Sequence, residues 1–187
     1  MKTKKISVGI AGIFLFVAAG LPQSAVAKEI EMDLRFAGAF ISGSLPSPLI
    51  LVQAKGSPGK AVIRGYGADT MLDTISFPTA CLGLTAIPGG VPGLPDTLLR
   101  VSAAEDPLIF TFQDLSLLFA DGTGEICVDL LTGNVEFEFN IIFNGGRGRF
   151  EGAWGTAVIT GEAQPVSADR TFLAETGTIV GMITVPN

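Results

Sequence analysis

The chain contains no histidine. Its absence removes the Ser-His-Asp and Cys-His nucleophilic systems and the commonest metal ligand. Only two cysteines are present, too few for an all-thiolate zinc site. Basic residues are scarce as well: 12 Lys and Arg stand against 18 Asp and Glu, a net charge of −6. Phosphate backbones and anionic membrane surfaces are held by clustered cations, so neither suits this chain as a partner. No Gly-x-x-x-x-Gly-Lys loop occurs, and no glycine fingerprint opens a helix, which excludes the usual nucleotide cradles. On these grounds the sequence nominates no catalytic residue, no metal site and no cofactor.

What is present begins with Met1-Lys2-Thr3-Lys4-Lys5, an apolar run from Ile6 to Leu21, and Gln23-Ser24-Ala25-Val26-Ala27. A basic head, an apolar core and an Ala-x-Ala site describe a Sec-type signal peptide cleaved after Ala27. We therefore expect residues 1–27 to be a leader and residues 28–187 to be one exported domain, periplasmic or extracellular. The leader holds three lysines and no acids, so the exported part is the more acidic. An oxidising compartment favours a disulfide between Cys81 and Cys127, with two buried free thiols as the alternative.

Alternation with period two dominates residues 28–187 and points to strands with one buried face. Ile30, Met32, Leu34 and Phe36 alternate with Glu29, Glu31, Asp33 and Arg35. Val135, Phe137, Phe139, Ile141 and Phe143 oppose Glu136, Glu138 and Asn140, and Leu108, Phe110 and Phe112 repeat the pattern. Further strands are expected near 49–55, 60–66, 97–103, 124–131, 154–163 and 176–185. In the last of these, Gly177 and Gly181 stand where bulk would crowd a neighbour. Thr132-Gly133-Asn134 reads as a hairpin turn, Asp121-Gly122-Thr123-Gly124 as the turn that begins that hairpin, and Pro165 to Asp169 as a third connection. Asp114 to Phe119 is the one short helical candidate. The segment Ile87 to Pro95 is rich in Pro and Gly and reads as loop, either a surface crossing or a lid. The expected fold is all-β: a single antiparallel β-barrel of about eight to ten strands, with a β-sandwich as the alternative.

The densest signal is Asn144-Gly145-Gly146-Arg147-Gly148-Arg149-Phe150-Glu151-Gly152-Ala153-Trp154-Gly155. Glycines inside strands mark bulges and bends, and closing a barrel demands such curvature. Gly145, Gly146, Gly148, Gly152 and Gly155 are read as structural. Phe150 and Trp154, four apart, would share one face of an unbroken strand. This run resembles the Gly-Gly-Thr-Gly-x-Phe element of the allene oxide cyclase and dirigent β-barrel superfamily, which has exported bacterial members of unknown role. The resemblance covers about the last 65 residues, and Arg147 departs from it where a small hydroxyl residue is usual. It implies a closed antiparallel barrel of about eight strands with an apolar interior, and it transfers no catalytic residue.

Two carboxylates two apart, Glu136 and Glu138, are the usual pattern of a solvated face. Asp121 and Glu125 flank Gly-Thr-Gly but lack the full pattern of a calcium loop. Arg147, Arg149, Trp154, Phe137 and Phe139 are the candidate ligand-binding residues: the arginines as clamps for a carboxylate, the aromatics as an apolar lining. The functional expectation is an exported non-catalytic barrel whose possible partner is an apolar small molecule in its interior. An allene oxide cyclase-like isomerase or cyclase is the alternative, and an outer-membrane barrel the second. One Trp and one Tyr are thin material for the aromatic girdles of a membrane barrel.

Overall fold

A computed structural model describes residues 27–41, 49–66, 74–88, 90, 92–93 and 97–187. The expected leader at 1–27 thus lies outside the described residues except for Ala27, as do parts of the Pro-Gly segment at 87–95. Eleven strands follow in chain order: β1 (Lys28–Ile41), β2 (Leu49–Ser57), β3 (Ala61–Tyr66), β4 (Thr74–Ser76), β5 (Ala80–Cys81), β6 (Leu84–Thr85), β7 (Leu98–Phe112), β8 (Leu117–Asp129), β9 (Val135–Arg147), β10 (Trp154–Pro165) and β11 (Phe172–Val185). Eight of them, β1, β2, β3, β7, β8, β9, β10 and β11, pair antiparallel with their neighbours, and β1 pairs with β11 to close the ring. The barrel reading holds and the sandwich is set aside. β4 pairs with the first half of β7, at Arg100 to Ser102, and β5 pairs with β6 as a small separate hairpin.

Stagger sets the width of the ring. Tracing paired residues from Leu118 through Phe110, Ile63, Val52, Gly38, Glu175, Ala163 and Val135 returns to β8 at Val128 rather than Leu118. Such a stagger tilts the strands, and an eight-stranded barrel of this kind either fills its interior with side chains or holds one small ligand. Along each strand the alternation read from the sequence decides which residues point in. Met32, Leu34, Phe110, Phe112, Ile141 and Phe143 are all buried in one contiguous core, while Glu31, Asp33, Glu138 and Asn140 are exposed.

Two expected boundaries are corrected. Residues 97–103 and 108–112 belong to one strand, β7, whose register shifts between Ala103 and Asp106. That bulge reverses the parity, so Val101 and Leu108 are both buried although seven positions apart. Asp121-Gly122-Thr123-Gly124 is no turn but the middle of β8. A side chain at Gly124 would collide with the backbone of Glu138 and Phe139, so this glycine serves close strand approach. The helical candidate at 114–119 is instead a tight turn, with Leu115 at φ 64°, followed by β8. The Asp114 carboxylate accepts the Ser116 N–H at 3.1 Å there.

The glycine run connects β9 to β10 at the end of the barrel where Lys28 and Val185 pair. Gly145 takes φ 140° beside a register shift, and Gly148 takes φ 66° at the start of a single 3-10 turn, Gly148–Phe150. The turn breaks the extended chain, so Phe150 and Trp154 do not share a face. Phe150 is fully buried against Phe112, ring centroids 4.7 Å apart, and helps close this end, whereas Trp154 is exposed on the outside.

Elsewhere glycine makes room for rings. A Cβ on Gly177 would lie 2.5 Å from Cζ of Phe36, and one on Gly161 2.5 Å from Cζ of Phe137. Gly177→Val is therefore expected to destabilise the protein by about 1–3 kcal/mol through overpacking. The nearby Thr176→Val, on the exposed outer face, should change stability by about 0.5 kcal/mol or less. Urea unfolding of the two variants checks the contrast.

Outside the barrel, Cys81 on β5 is bonded to Cys127 on β8, with Cα atoms 5.8 Å apart. With Leu98, Leu84 and Ala86 they form a second small apolar cluster under the β5–β6 hairpin. Glu136 fixes the same hairpin by accepting the Gly83 N–H at 2.6 Å.

Candidate functional site

The two ends of the barrel differ in chemistry. At the end closed by Phe150, Arg149 lies over the rings of Phe112 and Phe150 at 4.8 and 4.7 Å. It also donates to the Pro58 carbonyl at 3.2 Å and pairs with Asp114 at 3.3 Å. Its guanidinium is thus committed to joining the β7–β8 turn, the β2–β3 turn and the 3-10 turn. A depression of about 380 Å³ beside it is lined by Lys28, Glu29, Ile30, Ser57, Pro58, Val185 and Asn187.

Toward the other end, where β9 begins and β10 ends, the inward positions carry Phe36, Phe137 and Phe139. Phe36 stacks on Phe137 with centroids 6.3 Å apart, and Phe137 meets Phe139 at 6.2 Å. Ile50, Ile126 and Phe137 pack on the core there but are only partly buried. The apolar interior therefore retains some solvent contact on this side.

Into this region projects Glu175. On β11 it shares the inward face with Leu173, Gly177, Ile179 and Ile183, and its Cα partners are Gly38 on β1 and Ala163 on β10. Glu175 is 4% exposed, and its Oε1 has no hydrogen-bond partner among the described residues. Burial in apolar surroundings pushes its carboxyl up to about 7, because the charged form loses its hydration. No basic residue occupies an inward strand position among the described residues. The nearest charged residues on β1 and β10, Arg35 opposite Thr178 and Glu162 opposite Thr176, are outward and exposed. Arg170, in the β10–β11 connection, donates to the carbonyls of Leu130 and Leu131 at 2.8 and 2.7 Å.

The five candidate binding residues are distributed rather than gathered. Phe137 and Phe139 lie inside near Glu175. Arg149 is at the opposite end, Arg147 is exposed at the end of β9, and Trp154 stands on the outer surface. There it joins Ile142, Val158, Val180 and Met182 in an exposed apolar patch across β9, β10 and β11. The oxygen-bearing pair near the Gly-Thr-Gly segment is engaged: Glu125 is ion-paired with Arg100, and Asp121 accepts from Nδ2 of Asn144.

Glu175 was invisible to the alternation because the expected strand began at 176, one residue too late. The signal was available: Leu173, Ile179 and Ile183 share its parity, and a carboxylate in an apolar register is the informative exception. Comparison with family models, with curated proteins and with solved structures gives no match.

Proposed function

We propose that the protein is an exported, non-catalytic barrel that takes an apolar small molecule into its interior from the side of Glu175. The observation that carries this reading is the pairing of partly accessible apolar walls, Ile50, Ile126 and Phe137, with one buried polar group that has no partner. Small-molecule sites are mostly apolar and use a few placed polar groups to orient the ligand. The exterior supports it too. Outward positions carry Glu31, Asp33, Arg35, Lys55, Arg64 and Glu138 while the interior is aromatic and aliphatic. A transmembrane barrel needs the opposite arrangement, an apolar outside around a polar lumen.

A neutral fluorescent probe, N-phenyl-1-naphthylamine, tests the reading. Its emission is expected to rise on mixing with the purified protein and to fall when decanol competes. Ala163→Phe, which fills the inward position beside Glu175, should abolish the rise while the far-UV spectrum is kept. An unchanged response in that variant would place the probe elsewhere and remove the proposal. The cyclase alternative draws on the same carboxyl, since an acid titrating near neutrality suits proton transfer.

A further inference from the structure

Resting on the interior-binding reading, we infer that Glu175 is the anchor for a cationic head, so that the ligand is an apolar amine rather than an alcohol, a hydrocarbon or an acid. A carboxylate in apolar surroundings is unfavourable unless it is paired and hydrogen-bonded. Here the barrel provides one buried carboxyl, an unpartnered Oε1 and no basic side chain at any inward position among the described residues. The flanking strand partners, Gly38 and Ala163, present neither donor nor bulk next to it. The phenylalanines 36, 137 and 139 offer hydrocarbon surface and ring faces, and ring faces also attract cations.

Three classes of apolar ligand meet this arrangement differently. A carboxylate ligand would face a like charge or require both acids to stay protonated. An alcohol could donate one neutral hydrogen bond. An ammonium supplies both the missing donors and the missing charge, and charge-assisted bonds are roughly twice as strong as neutral ones. Arg149 and Lys28, the basic groups at the opposite end that Phe150 closes, line the depression there. They therefore leave the interior carboxyl uncompensated.

The test is calorimetric titration of the purified protein at pH 8 with decylamine, decanol and decanoate below their aggregation concentrations. Decylamine is expected to bind about tenfold or more tightly than decanol, the difference between a charge-assisted and a neutral hydrogen bond. Decanoate should bind weakest. In Glu175→Gln the preference should disappear, the amine binding no tighter than the alcohol, because an ammonium without a counter-charge is unfavourable in an apolar interior. A second readout needs no variant. The ¹³C shift of the Glu175 carboxyl, followed against pH, should show its midpoint fall when decylamine is bound, because a neighbouring cation favours the ionised form. Equal binding of amine and alcohol to the native protein, a preference that survives Glu175→Gln, or an unmoved midpoint would each overturn the inference. Binding of decanol without any amine preference would leave the interior-binding reading intact. Absence of binding by all three would remove both.

Discussion

Replacing Cys81 and Cys127 by serine is expected to lower stability by about 4 kcal/mol, the loop-closure value for a bridge spanning 46 residues. The loss belongs mainly to the unfolded chain, which regains the freedom of the segment from β5 to β8. The bridge also holds the β5–β6 hairpin to the outer face of the barrel, where Leu98 and Cys127 are fully buried. Because Cys127 points away from the interior, binding to the barrel lumen should be unaffected. Urea unfolding of the oxidised protein and the double serine variant measures the difference. A loss below about 1 kcal/mol would mean that the hairpin and its neighbours stay associated in the unfolded ensemble.

Glu175→Gln is expected to act in the opposite direction, raising stability by about 3 kcal/mol at pH 8, the free energy equivalent to the upward displacement of its carboxyl to about 7. The sign follows from proton uptake. Between its ordinary value of 4.5 and about 7, the folded protein keeps the Glu175 proton while the unfolded chain has released it. Stability is thus fully present below about 4.5, declines as pH rises through 7, and stays at its lower value beyond. Three aspartates work against this at the acid end.

Asp114 is held below the ordinary carboxylate value first by the Ser116 N–H, with help from Arg149. At Asp129 burial pushes upward but is outweighed by the Thr132 hydroxyl and the N–H groups of Leu131 and Thr132. Asp169 is lowered by the Ser167 and Thr171 hydroxyls. Each contributes stability above about 3.8 that is lost as pH falls. The native protein should accordingly be most stable near pH 4 to 5, and the glutamine variant should lose the decline toward pH 8 while keeping the decline in acid. Unfolding midpoints at intervals from pH 3 to pH 8 decide the matter. A native profile flat from pH 5 to 8 would contradict the burial of an unpaired carboxyl.

The fold was legible because most strands of the ring bury one face only. Wherever apolar and polar residues alternate, as in Ile30 to Phe36 and Val135 to Phe143, inward and outward positions were read correctly. Errors arose where glycine has more than one physical use. Gly122 and Gly124 read as turn residues, yet both lie within β8, and at Gly124 the crowding of β8 against β9 leaves no room for a side chain. Trp154 and Phe150 read as partners because a 3-10 turn between them leaves no trace in period-two spacing. Closure itself, β1 on β11 and β3 on β7, joins segments distant in sequence and is not encoded in any local pattern.

The candidate site was legible only in part. Phe137 and Phe139 were found because aromatics at inward parity announce themselves. Arg147 and Arg149 drew attention as cations among glycines, but the β9–β10 connection places them at the end that Phe150 closes. Glu175 was missed because Thr171 to Ala174 carries a weak alternation and small or polar residues surround it. Its burial depends on Gly38 and Ala163 from two other strands, a condition no single segment can express.

The central claim is that the lumen, not the outer patch around Trp154, receives an apolar molecule. Methyl-resolved NMR of the isoleucine, valine and methionine side chains during titration with decylamine compares the two surfaces in one experiment. The account predicts shifts at Ile50, Ile126, Val135 and Ile179, with Ile142, Val180 and Met182 unmoved. Shifts confined to Ile142, Val180 and Met182 would show that the molecule binds on the outside, and would contradict it.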